Sequence, residues 1–247
     1  EIGSGLVGSE MCIRDSIYPV WDWTRIPGTT AIGNQDKTSL EGYQIGNNEF
    51  GGGVSDGVNG IIAYKGKYNE LQANKAYFFF DNMMFCIGSD ISYVQNDNVL
   101  TSVEQNLLNG EVIYNDGQEK QLSSNSNMQL KQLKWVYHNN TGYIFRGTDN
   151  VTIQNMSQAG SWKDINATGE SGLIDKSVFS VWINHGLNPE NASYQYIVVP
   201  DKSINAFRDL AEQIDLYIAQ NDGSVQAIRE GLSLIHISEP TRPEPIS

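Results

Sequence analysis

The strongest constraint on the fold is a recurring pattern of short apolar runs that alternate with turn-forming residues. Within many runs, apolar side chains recur at every second position, which is typical of strands that bury one face. Two such runs on either side of a short turn predict a hairpin. Three hairpins are predicted: 76–80 with 84–87 around Asp81-Asn82, 134–138 with 142–145 around 139–141, and 178–183 with 194–199 around 186–189.

Two weaker strand candidates, residues 111–114 and 151–153, extend the same pattern. Strands of this length and spacing favour an all-β fold, a large antiparallel sandwich whose sheets cover each other's apolar faces. One segment departs from the pattern. After Pro200, Ser203 can cap a short helix near the C-terminal end, which would lie against a sheet. Its apolar residues share one helical stripe: Ile204, Phe207, Leu210, Ala211 and Ile214.

The charge balance restricts the partners that the chain can have. The 247 residues carry a formal net charge of −13, whereas a nucleic-acid surface needs clustered positive charge, so no nucleic-acid partner is expected. No window approaches the roughly 18 apolar residues of a membrane span, so no membrane partner is expected either. Cys12 and Cys86 cannot form a disulfide framework, and the Cys and His spacing predicts neither a metal nor a cofactor.

The two ends of the chain differ in character from the rest. Residues 1–16 and 232–247 resemble translated sequencing adapter, and segments foreign to a fold are set aside before its architecture is predicted. The alternatives are a native N-terminal arm and a Pro-rich tail. We therefore expect one domain, residues 17–231, which is cut at both ends.

Two runs carry the residue types that chemistry needs. Residues 18–30 contain Trp21 and Trp23 among prolines and polar side chains, and such aromatic faces suit sugar rings, although taken alone both tryptophans are more simply interpreted as core residues. The glycine-rich run 44–57 lacks the Gly-Lys-Ser/Thr of a phosphate-binding loop. Because glycine permits tight backbone connections, the run is interpreted as a loop that presents residues 47–49.

Several ordered motifs carry a family resemblance. The chain resembles the central β domain of polysaccharide lyase family 8, the chondroitin AC, hyaluronate and xanthan lyases, and the run 182–185 is most similar to the chondroitin AC branch. The motifs that carry the resemblance are 18–30, 46–60, 75–81, 86–89, 101–106, 160–166 and 178–200. The resemblance implies an antiparallel super-sandwich of the galactose-mutarotase-like kind.

The resemblance also implies a reaction. Members of the family cleave uronate-containing polysaccharides by β-elimination, in which the uronate carboxylate is neutralised and a base removes the C5 proton. Their Asn, His, Tyr and Arg groups belong to an N-terminal α/α toroid, and nothing in this sequence matches those motifs. No catalytic residue is therefore assigned, and the chain alone is expected to be inactive. His138 and His185 lie within strand patterns and are interpreted as structural.

Candidate substrate-binding residues follow from the same resemblance. The family's supporting Glu precedes the Asn-rich run, and Gln44 stands near that place, where an amide cannot take the acidic role. The first expected cleft lining is Asn47, Asn48 and Glu49, and the second is Glu104 and Gln105, next to Asn106.

The resemblance gives an acidic, glycosaminoglycan-like polysaccharide and the toroid of the same enzyme as partners, and a secreted or periplasmic location. The negative net charge conflicts with a polyanionic substrate unless the attracting arginines lie on the toroid. Two alternatives remain open. One is a non-catalytic carbohydrate-binding or structural β-sandwich module, and the other is a mutarotase-like enzyme that would pair His and carboxylate groups in a sheet cleft.

Overall fold

The structure, a computed structural model, describes residues 17–33, 47–80, 82–214, 216–230 and 233–238. The chain divides into two compact units. The first comprises Glu1–Gln44, Gln95–Asn139 and Thr148–Asn188, and the second comprises Ile45–Val94, Asn140–Gly147 and Pro189–Ser247.

The first unit is built on a five-stranded antiparallel sheet. In spatial order its strands are β1 (Thr30–Ile32), β6 (Asn98–Leu107), β13 (Ile174–Leu187), β12 (Val151–Gly160) and β9 (Ser126–Leu130). Three further antiparallel strands follow the order β10 (Trp135–His138), β7 (Ile113–Asn115) and β8 (Glu119–Gln121). A 3-10 turn at Tyr18–Val20 and a four-residue helix, α1 (Trp162–Ile165), complete the unit.

The centre of this sheet is the long strand β13. Residues 178–183 are all buried, so the apolar run is covered on both faces rather than on alternate residues only. Ile17 and Val20 pack with Val178 in one buried cluster, which fixes the 3-10 turn against the strand.

The second unit contains six antiparallel strands in the order β2 (Asn47–Ser55), β3 (Gly60–Tyr68), β4 (Leu71–Phe80), β5 (Met83–Ser92), β14 (Ala192–Val199) and β11 (Thr141–Phe145). A helix, α2 (Ile204–Gln213), follows β14. A smaller antiparallel sheet has the order β15 (Leu216–Asn221), β16 (Val225–Glu230) and β17 (Ser233–Ser238).

The strands of the first predicted hairpin pair as expected, since β4 runs antiparallel to β5 from Phe80 opposite Met83. The strands of the second hairpin are also present, and Asn139 and Asn140 between them have φ values of 48° and 61°. Asparagine tolerates this left-handed conformation better than most residues, which agrees with the turn chemistry predicted there.

The third predicted hairpin is wrong, although both of its strands exist. β13 pairs with β6 along one edge and with β12 along the other, so neither edge is left for β14. β14 pairs instead with β5 and β11. The local pattern identified the strands, but the choice of partner depended on residues far away in the chain.

The glycine-rich run was predicted to be a loop, and this is also wrong. Residues 47–55 form β2, which pairs with β3 and ends its sheet. Glycine is needed within this strand because a Cβ at Gly53 would lie 2.8 Å from the carbonyl oxygen of Ile61. The small residues therefore permit close strand pairing instead of forming a turn.

The predicted helix is confirmed. The Ser203 hydroxyl oxygen accepts a hydrogen bond from the Ala206 amide at 3.4 Å, and Phe207 is fully buried on the apolar stripe. A Cβ at Gly142 of β11 would overlap the Phe207 ring. The helix therefore docks on β11 at the one point where the strand has no side chain.

Part of the C-terminal run predicted to be foreign to the fold is paired. Residues 233–238 form β17 against β16. Residues 1–16 and 239–247 lie outside the described residues, so the adapter interpretation stays a prediction.

We expect Gly142→Ala to lower the free energy of unfolding by about 1–3 kcal/mol, because the added methyl group must displace the Phe207 ring. Urea unfolding followed by circular dichroism measures the change. Gly51→Ala is the matched control, since it also lies in a strand and no atom of the described part of the chain stands within 4 Å of its added Cβ. Equal unfolding midpoints for the two variants would contradict this packing.

Candidate functional site

One candidate site residue, Gln105, connects β6 to the aromatic segment, residues 21–25, which follows the 3-10 turn. Its side-chain oxygen accepts a hydrogen bond from the Asp22 amide at 2.8 Å. Its side-chain nitrogen donates to the carbonyl oxygens of Asp22 and Arg25 at 3.1 and 3.2 Å. Gln105 is 2% exposed, so in the described structure its side-chain amide binds main-chain groups of this segment.

The same segment carries a compact charged group. The Arg25 guanidinium lies 4.0 Å from the centre of the Trp182 ring, and its Nε is 3.6 Å from a carboxylate oxygen of Asp22. The other carboxylate oxygen of Asp22 accepts from the amide and hydroxyl of Thr24 at 3.1 and 2.6 Å. The Arg25 charge is therefore balanced by Asp22 and by an aromatic face.

The neighbouring Glu104 is half-buried. Its carboxylate accepts a hydrogen bond from the main-chain N–H of Gln105 at 2.9 Å. The side-chain oxygen of Asn106 accepts one from the main-chain N–H of Leu107 at 2.8 Å. The register between β6 and β13 shifts here, between Val181 and Trp182. Such irregularities redirect side chains relative to a regular ladder.

The other predicted site residues belong to the second unit. Gln44 lies outside the described residues, and Asn47 begins β2 with a side chain that is also outside them. Asn48 and Glu49 are exposed. Glu49 is the extra residue of a bulge, since Asn48 pairs with Gly66 and the next paired residue, Phe50, is opposite Lys65. Its carboxylate lies 3.3 Å from the Lys65 ammonium. The bulge presents one acidic side chain at the end of the sheet.

The two histidines singled out in the sequence have different partners on different strands. His138 on β10 is 3% exposed, and its Nε2 accepts a hydrogen bond from the main-chain N–H of Asn109 at 3.0 Å. Burial lowers the pKa of His138 from 6.5 to about 4. On β13, the Nε2 of His185 lies 2.7 Å from the hydroxyl oxygen of Thr101. His138 is therefore a neutral structural residue near pH 7.

A groove in the first unit was not predicted from the sequence. Its volume is about 450 Å³. On one side are the rings of Trp21 and Trp23, whose centroids are 6.3 Å apart, and the Tyr18 ring packs next to both. On the other side are residues 154 and 156–160 of β12, with Asp164 of α1 near them. We call this space the aromatic groove. Trp21 and Trp23 were noted in the sequence, but the β12 residues that face them were not.

No group of three or more His, Cys, Asp and Glu residues that could hold a metal ion occurs in the part of the chain that the structure describes. Within the same residues, no helix has the length and apolar character required to cross a membrane.

Comparison with known proteins identifies the architecture. Residues 14–211 match the model of the polysaccharide lyase family 8 super-sandwich domain. The chain belongs to polysaccharide lyase family 8. The predicted all-β super-sandwich with a short helix near its C-terminal end is thereby confirmed.

Relatives within polysaccharide lyase family 8 include the chondroitinase-AC of Pedobacter heparinus, which is 40% identical over 188 residues, or 75% of this chain and 27% of the relative. The xanthan lyase of Bacillus sp. strain GL1 is 28% identical over 87% of this chain and 24% of its own length. The chain thus spans about a quarter of the curated relatives it matches.

Solved structures of family 8 lyases give the same result. A chondroitinase AC lyase studied in oligosaccharide complexes aligns with a TM-score of 0.76 and 37% identity, over 87% of this chain and 32% of that one. A Paenibacillus xanthan lyase aligns with a TM-score of 0.75 and 26% identity, over 87% of this chain and 22% of that one.

We expect Gln105→Ala to destabilise the first unit by about 2–3 kcal/mol, because the buried Asp22 amide and two carbonyl groups lose their partner. The tryptophan fluorescence of the 21–23 segment should change as well. Gln121→Ala, an exposed glutamine-to-alanine change in β8, should shift stability by less than about 0.5 kcal/mol. Urea unfolding tests both, and a Gln105→Ala result that matches Gln121→Ala would refute the bridging role.

We expect the His138 contribution to stability to depend on pH. The folded pKa of about 4 lies below the ordinary 6.5, so the unfolded state binds the proton more readily between these values. The free energy of unfolding should therefore fall as pH drops from about 6.5 towards 4, by about 3 kcal/mol for this group.

The measurement is the difference in unfolding free energy between the native chain and His138→Gln at several pH values, since glutamine can still accept from the Asn109 amide but does not titrate. His185→Gln is the control and should keep the His138 dependence. A pH-independent difference between the native chain and His138→Gln would disprove the effect.

Proposed function

We propose that this chain is the super-sandwich part of a polysaccharide lyase that cleaves uronate-containing glycans of the chondroitin or hyaluronan type by β-elimination. The single observation that carries the proposal is the 40% identity to a protein named chondroitinase-AC, over 188 residues. The match to the family model over residues 14–211 supports it. A secreted or periplasmic location fits a substrate that is a large extracellular polymer.

β-Elimination has three chemical requirements, which must be met by groups of this chain or of another part of the enzyme. The uronate carboxylate has to be neutralised, the C5 proton has to be removed, and the leaving oxygen has to be protonated. In this proposal those groups belong to an N-terminal toroid of the same full-length enzyme. The buried, neutral His138 agrees with this division, because an imidazole whose pKa is lowered to about 4 is a weak base.

In this proposal the super-sandwich binds and positions the glycan. Asn48 and Glu49 are exposed on a bulged terminal strand, where amide and carboxylate groups can contact sugar hydroxyls. Gln44 and Asn47 lie beside them in sequence. Glu104 and Gln105 form the second expected contact region, and Gln105 acts there through the segment that it holds. The acidic chain needs positive charge on the toroid to attract a polyanion.

We expect the 247-residue chain to give no rise in ultraviolet absorbance with chondroitin, hyaluronan or xanthan, because that absorbance reports the new double bond of the eliminated product. The full-length protein expressed from the uninterrupted gene is the positive control and should cleave at least one of these glycans. Turnover by the 247-residue chain would show that the reactive groups lie within it. An inactive full-length protein would favour the non-catalytic binding module instead.

A further inference from the structure

The aromatic groove has unpaired polar groups as well as aromatic faces. Trp21 Nε1 and Gln158 Oε1 are both buried and have no hydrogen-bond partner among the residues that the structure describes. Leaving a buried donor or acceptor unpaired lowers the stability of the folded state. Both residues line the groove, so a ligand hydroxyl bound there can pair with these atoms when a small side-chain rotation exposes them, and the pairing then removes this cost.

The two unpaired atoms are complementary in one respect. The indole nitrogen can only donate a hydrogen bond, and the amide oxygen can only accept one. A hydroxyl group does both, since it carries one donor hydrogen and two acceptor lone pairs. A ring that carries several hydroxyls therefore fits this pair better than a carboxylate, which only accepts, or an ammonium group, which only donates.

The charges around the groove disfavour an anionic ligand. Asp22 and Asp164 both line it, and the lining cation is Arg25. The Arg25 guanidinium is already engaged by Asp22 and by the Trp182 ring. A uronate or sulfate placed in the groove would meet two carboxylates and one compensated cation. An uncharged ring avoids this repulsion.

The size and the walls of the groove suit a pyranose. Its volume of about 450 Å³ lies within the range of about 300–1,000 Å³ that is usual for small-molecule sites. Trp21 and Trp23 line the groove and are half-buried, so parts of their rings remain accessible to the C–H face of a sugar. The apolar face of the ligand then packs on aromatic carbon, while its hydroxyls reach the polar side formed by β12.

We propose that the aromatic groove is a saccharide-binding site for an uncharged hexose or N-acetylhexosamine ring, which holds the glycan without taking part in the elimination. The choice of an N-acetylhexosamine rests on the proposed function, because glycans of the chondroitin type alternate this residue with a uronate. The groove takes the neutral ring of such a repeat, and the charged ring lies outside it.

The test titrates the 247-residue chain with the methyl glycosides of N-acetylgalactosamine and glucuronic acid, followed by tryptophan fluorescence and by saturation-transfer NMR. We expect saturable binding of the neutral sugar and at least about tenfold weaker binding of the acid. Trp23→Ala and Gln158→Met should each weaken binding of the neutral sugar about tenfold or more. Phe79→Ala, a partly exposed aromatic residue in the second unit, is the matched control and should leave the affinity unchanged.

Two results would overturn the proposal. One is the absence of saturable binding of the neutral sugar to the native chain. The other is an unchanged affinity in folded Gln158→Met, which keeps the side-chain volume but removes the acceptor, and which circular dichroism confirms as folded. Neither result changes the outcome expected in the lyase assay of the full-length protein. A full-length protein that binds the neutral sugar but cleaves no glycan would refute the proposed function and leave the binding site intact.

Discussion

The main-chain hydrogen bonding of β13 is the constraint on which the first unit depends. Its buried run, residues 178–183, places peptide groups away from water, and such groups must be paired. β6 supplies partners along one edge and β12 along the other. β6 carries Glu104 and Gln105, and β12 carries the polar wall of the aromatic groove. Both candidate features of this unit are thus positioned by one strand.

The sequence predicts elements better than it predicts their partners. The first hairpin and the helix capped by Ser203 were predicted correctly because their signals are local: an adjacent turn in one case, and a cap with an apolar stripe in the other. The pairing of β13 with β6 joins residues about 70 to 90 positions apart, and no local pattern encodes that choice. The glycines of β2 were misassigned because close strand pairing and tight turns both favour the same residue.

The candidate site shows the same division between local and distant information. Trp21 and Trp23 could be found from the sequence, since they lie two positions apart. Their polar counterpart on β12 could not, because Gln158 has no distinctive neighbours in the sequence. Gln105 was chosen as a substrate contact from a family resemblance, while the structure gives its amide three main-chain partners. An amide side chain suits either role, and only its surroundings distinguish them.

The docking of α2 over Gly142 has a consequence for how this domain can diverge. The space that a side chain would occupy on β11 is filled by the Phe207 ring. A larger residue on the strand lowers stability unless the helix residue becomes smaller, so substitutions at these two positions should arise as compensating pairs. Homologous lyases that retain the glycine should keep an aromatic ring opposite it, and those that have lost it should show a repositioned helix.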